Sequence, residues 1–237
     1  MNEQPGGVLE DLWVGTQILV EREVLDGFGH LSLRNPAAPE HYFMLRQNTS
    51  STFHAEDVVE LDRESEPVRP GVRPSIERFI HGEIYRARPD VSAIVHTHAP
   101  ALIPFGVSQT PLKPLYHMSG FLSGGAPVFD IRERHGMTNM LVTSIELGQA
   151  LAGALGGSAL VLMRGHGATV VGSSVQDAVY RAIYATLNAQ LQPIAMQLGG
   201  PNFLSDEEAA LADELHQKVV LRPWEFWKER LRRTQSL

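Results

Sequence analysis

The sequence predicts a single α/β domain with a mixed sheet over residues 1–237, and three observations support this. A composition of 43% hydrophobic and 20% charged residues over 237 positions is ordinary for a globular chain long enough to bury a full core. Short β-branched runs alternate with stretches of helical apolar spacing. No repeat, low-complexity tract or linker divides the chain.

Val8, Leu12, Ile18, Leu19 and Val24 recur at helical spacing and predict an opening helix over 8–24, ended by the turn-forming Asp26-Gly27. Residues 29–34 and 41–46 flank a Pro- and Ala-rich turn and read as an antiparallel pair of strands. A third strand is expected at 58–61, before a Pro-rich segment over 67–74. Ser75 is then a predicted N-cap, with Ile76, Phe79, Ile80, Ile84 and Tyr85 forming the apolar face of a helix that ends at Arg88-Pro89. The β-branched run over 91–98 predicts a strand buried on at least one side. Thr143-Ser-Ile-Glu146 has the form of a capping box and opens a helix that stops at Gly156-Gly157. A strand over 159–163 follows, and Ser173 or Ser174 caps a long helix over 175–198. Two amphipathic helices fill the last thirty residues, where Trp224, Phe226 and Trp227 serve helix packing or a subunit contact.

Composition also narrows the chemistry. With no cysteine, disulfides, thiol nucleophiles and iron–sulfur clusters are excluded, so any metal must sit on nitrogen and oxygen. A net charge of −7 gives no footprint for nucleic acid, which is not an expected partner. The N-terminus is acidic and polar, and no run of 18 apolar residues lacks a charge, so neither a signal peptide nor a membrane partner is expected and the predicted location is the cytoplasm.

Residues i and i+2 of a strand share a face, so Val95-His-Thr-His98 presents His96 and His98 together as a two-nitrogen metal clamp. His166 lies in Arg164-Gly-His-Gly167 directly after a strand, where flanking glycines allow a sharp turn, and is the natural third ligand. Glu77, at the start of the helix before the HTH strand, is positioned either to reach the metal or to interact with the helix dipole.

Taken in order, Pro74-Ser-Ile-Glu77, Ile84-Tyr-Arg-Ala-Arg-Pro-Asp-Val91, Val95-His-Thr-His98 and Arg164-Gly-His-Gly167 resemble the class II aldolase/adducin family over roughly residues 9–198. The resemblance implies a central, mixed, largely antiparallel sheet flanked by helices, one divalent metal ion held by His96, His98 and His166, and an acid/base role for Glu77 or its occupation of the metal's open site. It also implies a homotetramer with sites near subunit interfaces. Three neutral imidazoles leave the full charge of the ion available to stabilise an enolate. Zinc or manganese is expected, and iron or cobalt also suits the donors.

The phosphosugar members resembled here hold phosphate with a Gly-Asn in the first strand, a Ser-Gly after the second and a Ser-Ser before the glutamate. In this chain Gly29 is followed by His30, the second strand ends in Arg46-Gln47-Asn48, and Ser75 is followed by Ile76. Phosphate is poorly served by these residues. Phe28-Gly-His-Leu-Ser-Leu-Arg34 instead resembles the branch with hydroxypyridine dicarboxylate and dihydroxyphthalate decarboxylases. This implies a small-molecule substrate, a hydroxylated aromatic or heteroaromatic acid whose ring is protonated at the ipso carbon as CO2 departs. Glu77 and His30 are the candidate proton donors, His30 alternatively capping a turn. Arg46, Ser75 and His117 are substrate-binding candidates; Arg46 reads equally as a surface residue, and His117, beside Tyr116, as either a loop covering the site or a surface histidine. Retro-aldol cleavage of a hydroxy-keto substrate, iron-dependent oxygenation and an adducin-like binding module without activity are the alternatives.

Overall fold

The computed structural model describes residues 5–46 and 54–235. Helix α1 (Pro5–Glu21) leads into β1 (His30–Arg34) and β2 (Tyr42–Leu45), and β3 (Val58–Leu61) precedes α2 (Arg78–Ala87), β4 (Ala93–Thr97) and the short α3 (Ile103–Val107). After β5 (Val128–Phe129) and α4 (Arg132–His135) come α5 (Ile145–Leu155), β6 (Leu160–Met163) and β7 (Gly167–Gly172). The chain closes on α6 (Val175–Gln197), α7 (Asp206–Val219) and α8 (Leu221–Gln235). Among the described residues the strands form one sheet in the order β3-β2-β1-β4-β7-β6-β5, antiparallel at every pairing except β5 with β6. This is the expected mixed, largely antiparallel sheet.

Strand alternation divides the core in two. Leu31, Leu33, Ala93, Val95, Ala168 and Val170 face α1, α6 and α8, where Trp224 and Trp227 are also buried. Met44, Ile94, Val161, Met163 and Val171 face α2 and α5. The same alternation aims His30 and Ser32 of β1, His96 of β4 and Thr169 of β7 at the α2 side, with His30 opposite His96 and His96 opposite Thr169 in the ladder. All five residues of β4 are buried, because helices cover both faces of this central strand.

Several predicted boundaries shift, each for a local reason. Helix α1 stops at Glu21 and Glu23 takes a left-handed φ of 56°, so that Val24 and Leu25 both donate back to the Leu19 carbonyl and enter the core outside the helix. Ser75 is not an N-cap: its hydroxyl accepts from the Glu77 N–H at 3.3 Å one turn ahead of α2, which leaves Ile76 outside the helix and exposed. Thr143 is not the cap of α5 either. Ser144 fills that place and accepts from the Leu147 N–H, the third helical position, so no box with Glu146 forms. At α6 the cap is Ser174, accepting from the Asp177 N–H, while Ser173 donates to the Asp177 carboxylate. Strand β7 is absent from the predicted elements. Glycines at both of its ends disguise it, and pairing along both edges overrides their low β propensity.

Candidate metal centre

Three sequence-distant pieces meet at one end of the central strands. β4 delivers His96 on its α2-facing side and His98 immediately beyond its end, spaced to lie together. His166 comes from the turn between β6 and β7. There Gly165 adopts a φ of 65°, and Gly167 passes so close to the Thr97 carbonyl that a Cβ would collide with it. Glu77 precedes α2 and its side chain makes no helix cap, so its carboxylate turns toward the histidines instead of serving the helix.

The ligand atoms of Glu77, His96, His98 and His166 all lie within 4.8 Å of one another. His96 Nε2 is 3.1 Å from His98 Nε2, and Glu77 Oε2 is 3.8 Å from His96 Nε2 and 3.6 Å from His166 Nε2. Donors about 2.0–2.1 Å from a common tetrahedral centre stand roughly 3.4 Å apart, so these separations fit a single ion.

Partners outside the cluster settle which nitrogen faces inward. His98 Nδ1 lies 3.2 Å from both Asp26 carboxylate oxygens, and a carboxylate only accepts, so Nδ1 carries the hydrogen. His166 Nδ1 donates to the Met140 carbonyl at 3.0 Å, and Met140 holds a left-handed φ of 70° where it presents that carbonyl. The Thr169 hydroxyl donates to Met163 Sδ at 3.4 Å, leaving its oxygen to accept from His96 Nδ1 at 3.5 Å. All three imidazoles therefore point an Nε2 lone pair at the cluster.

Burial keeps His96 neutral, well below the usual histidine value, as a ligand must be. Burial pushes the Glu77 carboxyl up, but His166 in its protonated form and the N–H that Val142 donates to Oε1 at 3.0 Å outweigh it and hold Glu77 below the usual carboxylate range. At Asp26 the opposing desolvation is overcome by N–H groups donated from Gly29 at 2.7 Å and Phe28 at 2.9 Å, with His98 adding to them.

His30 lies beside the cluster, its ring centroid 5.1 Å from that of His96. Arg46, Ser75 and His117 are not among the four clustered residues. Arg46 spends its Nε and Nη2 on Asp57 Oδ1, at 2.9 and 2.6 Å. Ser75 supports Glu77 from behind through the Glu77 N–H. His117 lies with its ring 5.3 Å from His216 and lines a cavity of about 440 Å³ with Tyr180, Tyr184 and Trp227. Asp26, Met140 and Thr169 were not predicted. For Asp26 the turn-forming Asp-Gly was a visible cue; for the other two no local pattern exists.

Residues 12–192 match the Class II Aldolase and Adducin N-terminal domain, and the chain belongs to that family. It is 37% identical over 238 residues, 90% of each chain, to "Decarboxylase tropJ" of Talaromyces stipitatus. It is also 29% identical over 210 residues, 82% of this chain and 81% of the other, to 3,4-dihydroxyphthalate decarboxylase of Arthrobacter keyseri. The solved L-fuculose 1-phosphate aldolase of Glaciozyma antarctica shares the fold at a TM-score of 0.77 and 19% identity, covering 97% of this chain and 90% of that one.

Proposed function

We propose that this protein is a divalent-metal-dependent carboxy-lyase acting on a hydroxylated aromatic or heteroaromatic acid. The observation that carries this reading is the convergence of three imidazole lone pairs and an ionised glutamate at one strand end. Similarity to two decarboxylases over more than four-fifths of the chain favours carboxylate loss over aldehyde release. His96, His98 and His166 would hold the ion through Nε2, zinc or manganese before iron or cobalt. When bound, the ion supplies a Lewis acid that stabilises negative charge on the substrate.

The chain's own groups do the rest. Glu77, ionised and held by the Val142 N–H, orients the reacting end and accepts or returns a proton. His30 stands on the same side of the sheet and is the second group placed to move a proton. Protonation of the ring carbon that bears the carboxylate lets that C–C bond break, its electron pair returning to the ring as CO2 leaves. His30 and Ile76 stand where the phosphosugar members resembled here carry small phosphate-binding residues, which disfavours a sugar phosphate. A homotetramer is the assembly proposed. The exposed α6 stripe of Leu187, Leu191 and Ile194 supports it, and sedimentation velocity should show a four-chain species.

The test is CO2 release by zinc- or manganese-loaded protein from a panel of ortho-hydroxy aromatic mono- and dicarboxylates, beside a panel of hydroxy-keto compounds and sugar phosphates. Metal-dependent CO2 from the first panel is expected. Aldehyde from the second panel with no CO2 from the first would replace the carboxy-lyase reading by a retro-aldolase.

A further inference from the structure

Helix α2 and the residue before it carry Glu77, His81 and Tyr85 on one stripe, four residues apart. Only Glu77 belongs to the metal cluster. His81 is fully buried, with Nδ1 2.6 Å from Ser32 Oγ and Nε2 2.7 Å from His30 Nδ1. Ser32 Oγ is 2.7 Å from the Tyr85 hydroxyl, which in turn reaches the Ser92 carbonyl at 3.5 Å. A helix stripe thus meets the β1 stripe of Ser32 and His30 in one hydrogen-bonded line that ends beside the metal cluster. At that end His30 Nε2 is buried and has no hydrogen-bond partner among the described residues.

Hydrogen counting gives the line a direction, since each hydroxyl and each neutral imidazole carries one N–H or O–H. The Ser92 carbonyl only accepts, so Tyr85 donates to it and receives the Ser32 hydrogen. Ser32, its hydrogen used, accepts from His81 Nδ1–H. His81 then has a lone pair on Nε2 and accepts from His30 Nδ1–H. His81 at the centre of the line is wholly buried, which keeps it neutral, well below the usual value.

We propose that His81, backed by Ser32 and Tyr85, is a positioning residue that fixes the tautomer of His30 and leaves its Nε2 lone pair facing the metal cluster. This rests on the carboxy-lyase reading and deepens it. His30 then starts the reaction as a base, not as a loaded acid. Its Nε2 takes the proton of the substrate hydroxyl and delivers that same proton to the ring carbon. The C–CO2 bond breaks with its electron pair returning to the ring, and the product's oxygen regains a proton from water, so one proton is taken up per CO2 released.

The experiment is two-bond 1H–15N correlation on zinc-loaded protein with 15N-labelled histidine, the His30 signals assigned from His30→Gln, in parallel with steady-state kinetics. The wild type should show His30 protonated at Nδ1. His81→Leu should give a mixture of tautomers and lower kcat by about 10–100-fold, the range for lost outer partners, with metal content unchanged and KM within about threefold. His81→Gln, whose amide both donates and accepts, should restore the tautomer and much of kcat. Ser32→Ala removes the next link with a smaller change in volume and should loosen the tautomer in the same direction, should His81→Leu not fold. A wild-type His30 protonated at Nε2, or a tautomer and kcat unmoved by these changes, would overturn the proposal. The expected tautomer in a protein that releases no CO2 from any ortho-hydroxy aromatic acid would instead overturn the carboxy-lyase reading and the proton's destination, with the hold of His81 on His30 standing.

Discussion

Asp26 shapes the candidate metal site without entering it. It holds the Nδ1 hydrogen of His98 and so turns the other nitrogen inward, and the two backbone N–H groups it accepts keep its own carboxylate charged and still. Asp26→Ala should weaken zinc binding about 10–100-fold with the fold retained, measured by competition with a chromogenic chelator; an unchanged affinity would mean that His98 orients without help. The cluster itself separates binding from chemistry. His98→Ala should lose both metal and turnover, since two imidazoles hold an ion far less well than three. Glu77→Gln keeps the volume and should retain metal while losing turnover. Metal content by elemental analysis beside CO2 release distinguishes them, and a metal-free His98→Ala protein that still turns over would refute the site.

At the level of elements, short contacts at the ends of helices and strands place the site. Helix α5 begins at Ser144, so Ser144→Ala should cost about 1 kcal/mol in urea unfolding, and Thr143→Ala less than about 0.5. The reverse order would restore Thr143 as the cap. Gly167 lets β7 pass against the Thr97 carbonyl one residue after His166. Gly167→Ala forces β4 and β7 apart and should destabilise by about 1–3 kcal/mol, the range for overpacking, and weaken metal binding because His166 moves with the strand. Urea unfolding and metal titration of the same variant test both halves.

Across the whole molecule, the two faces of the sheet differ in polarity. The side toward α1 and α6 is mainly apolar, with Thr97 among its exceptions, whereas the side toward α2 and α5 carries the line from Tyr85 to His30 and then the histidine–glutamate cluster. That asymmetry ties stability to pH. Folded His30 titrates at about 4 against 6.5 when unfolded, and His81 is likewise depressed by burial. The unfolded chain therefore binds protons that the folded chain refuses, and this stability is complete above the unfolded value and lost as pH falls from about 6.5 toward about 4. Each such histidine contributes a slope of up to about 1.4 kcal/mol per pH unit. Urea midpoints of the metal-free protein at pH 7, 6 and 5 should fall accordingly, and His81→Leu should flatten the dependence. An unchanged slope in that variant would show that His81 is not held neutral by folding.

Most of the elements and the candidate metal-binding histidines were legible because their patterns are local. A strand's period of two puts His96 beside His98, flanking glycines expose His166, and helical spacing marks α1, α2 and α6. The apolar face of α2 even contained Tyr85, and His81 stood four residues after Glu77. Nothing local shows that this polar stripe would lie against Ser32 and His30, or that Asp26, Met140 and Thr169 would supply the outer hydrogen bonds. Those contacts join residues 26 to 73 positions apart, and β7, hidden by its glycines, is the strand that brings Thr169 to His96. The candidate ligands follow from residue type and short-range spacing. Their tautomers, the direction of the buried line and the orientation of Glu77 follow from packing between distant segments, which no local periodicity encodes.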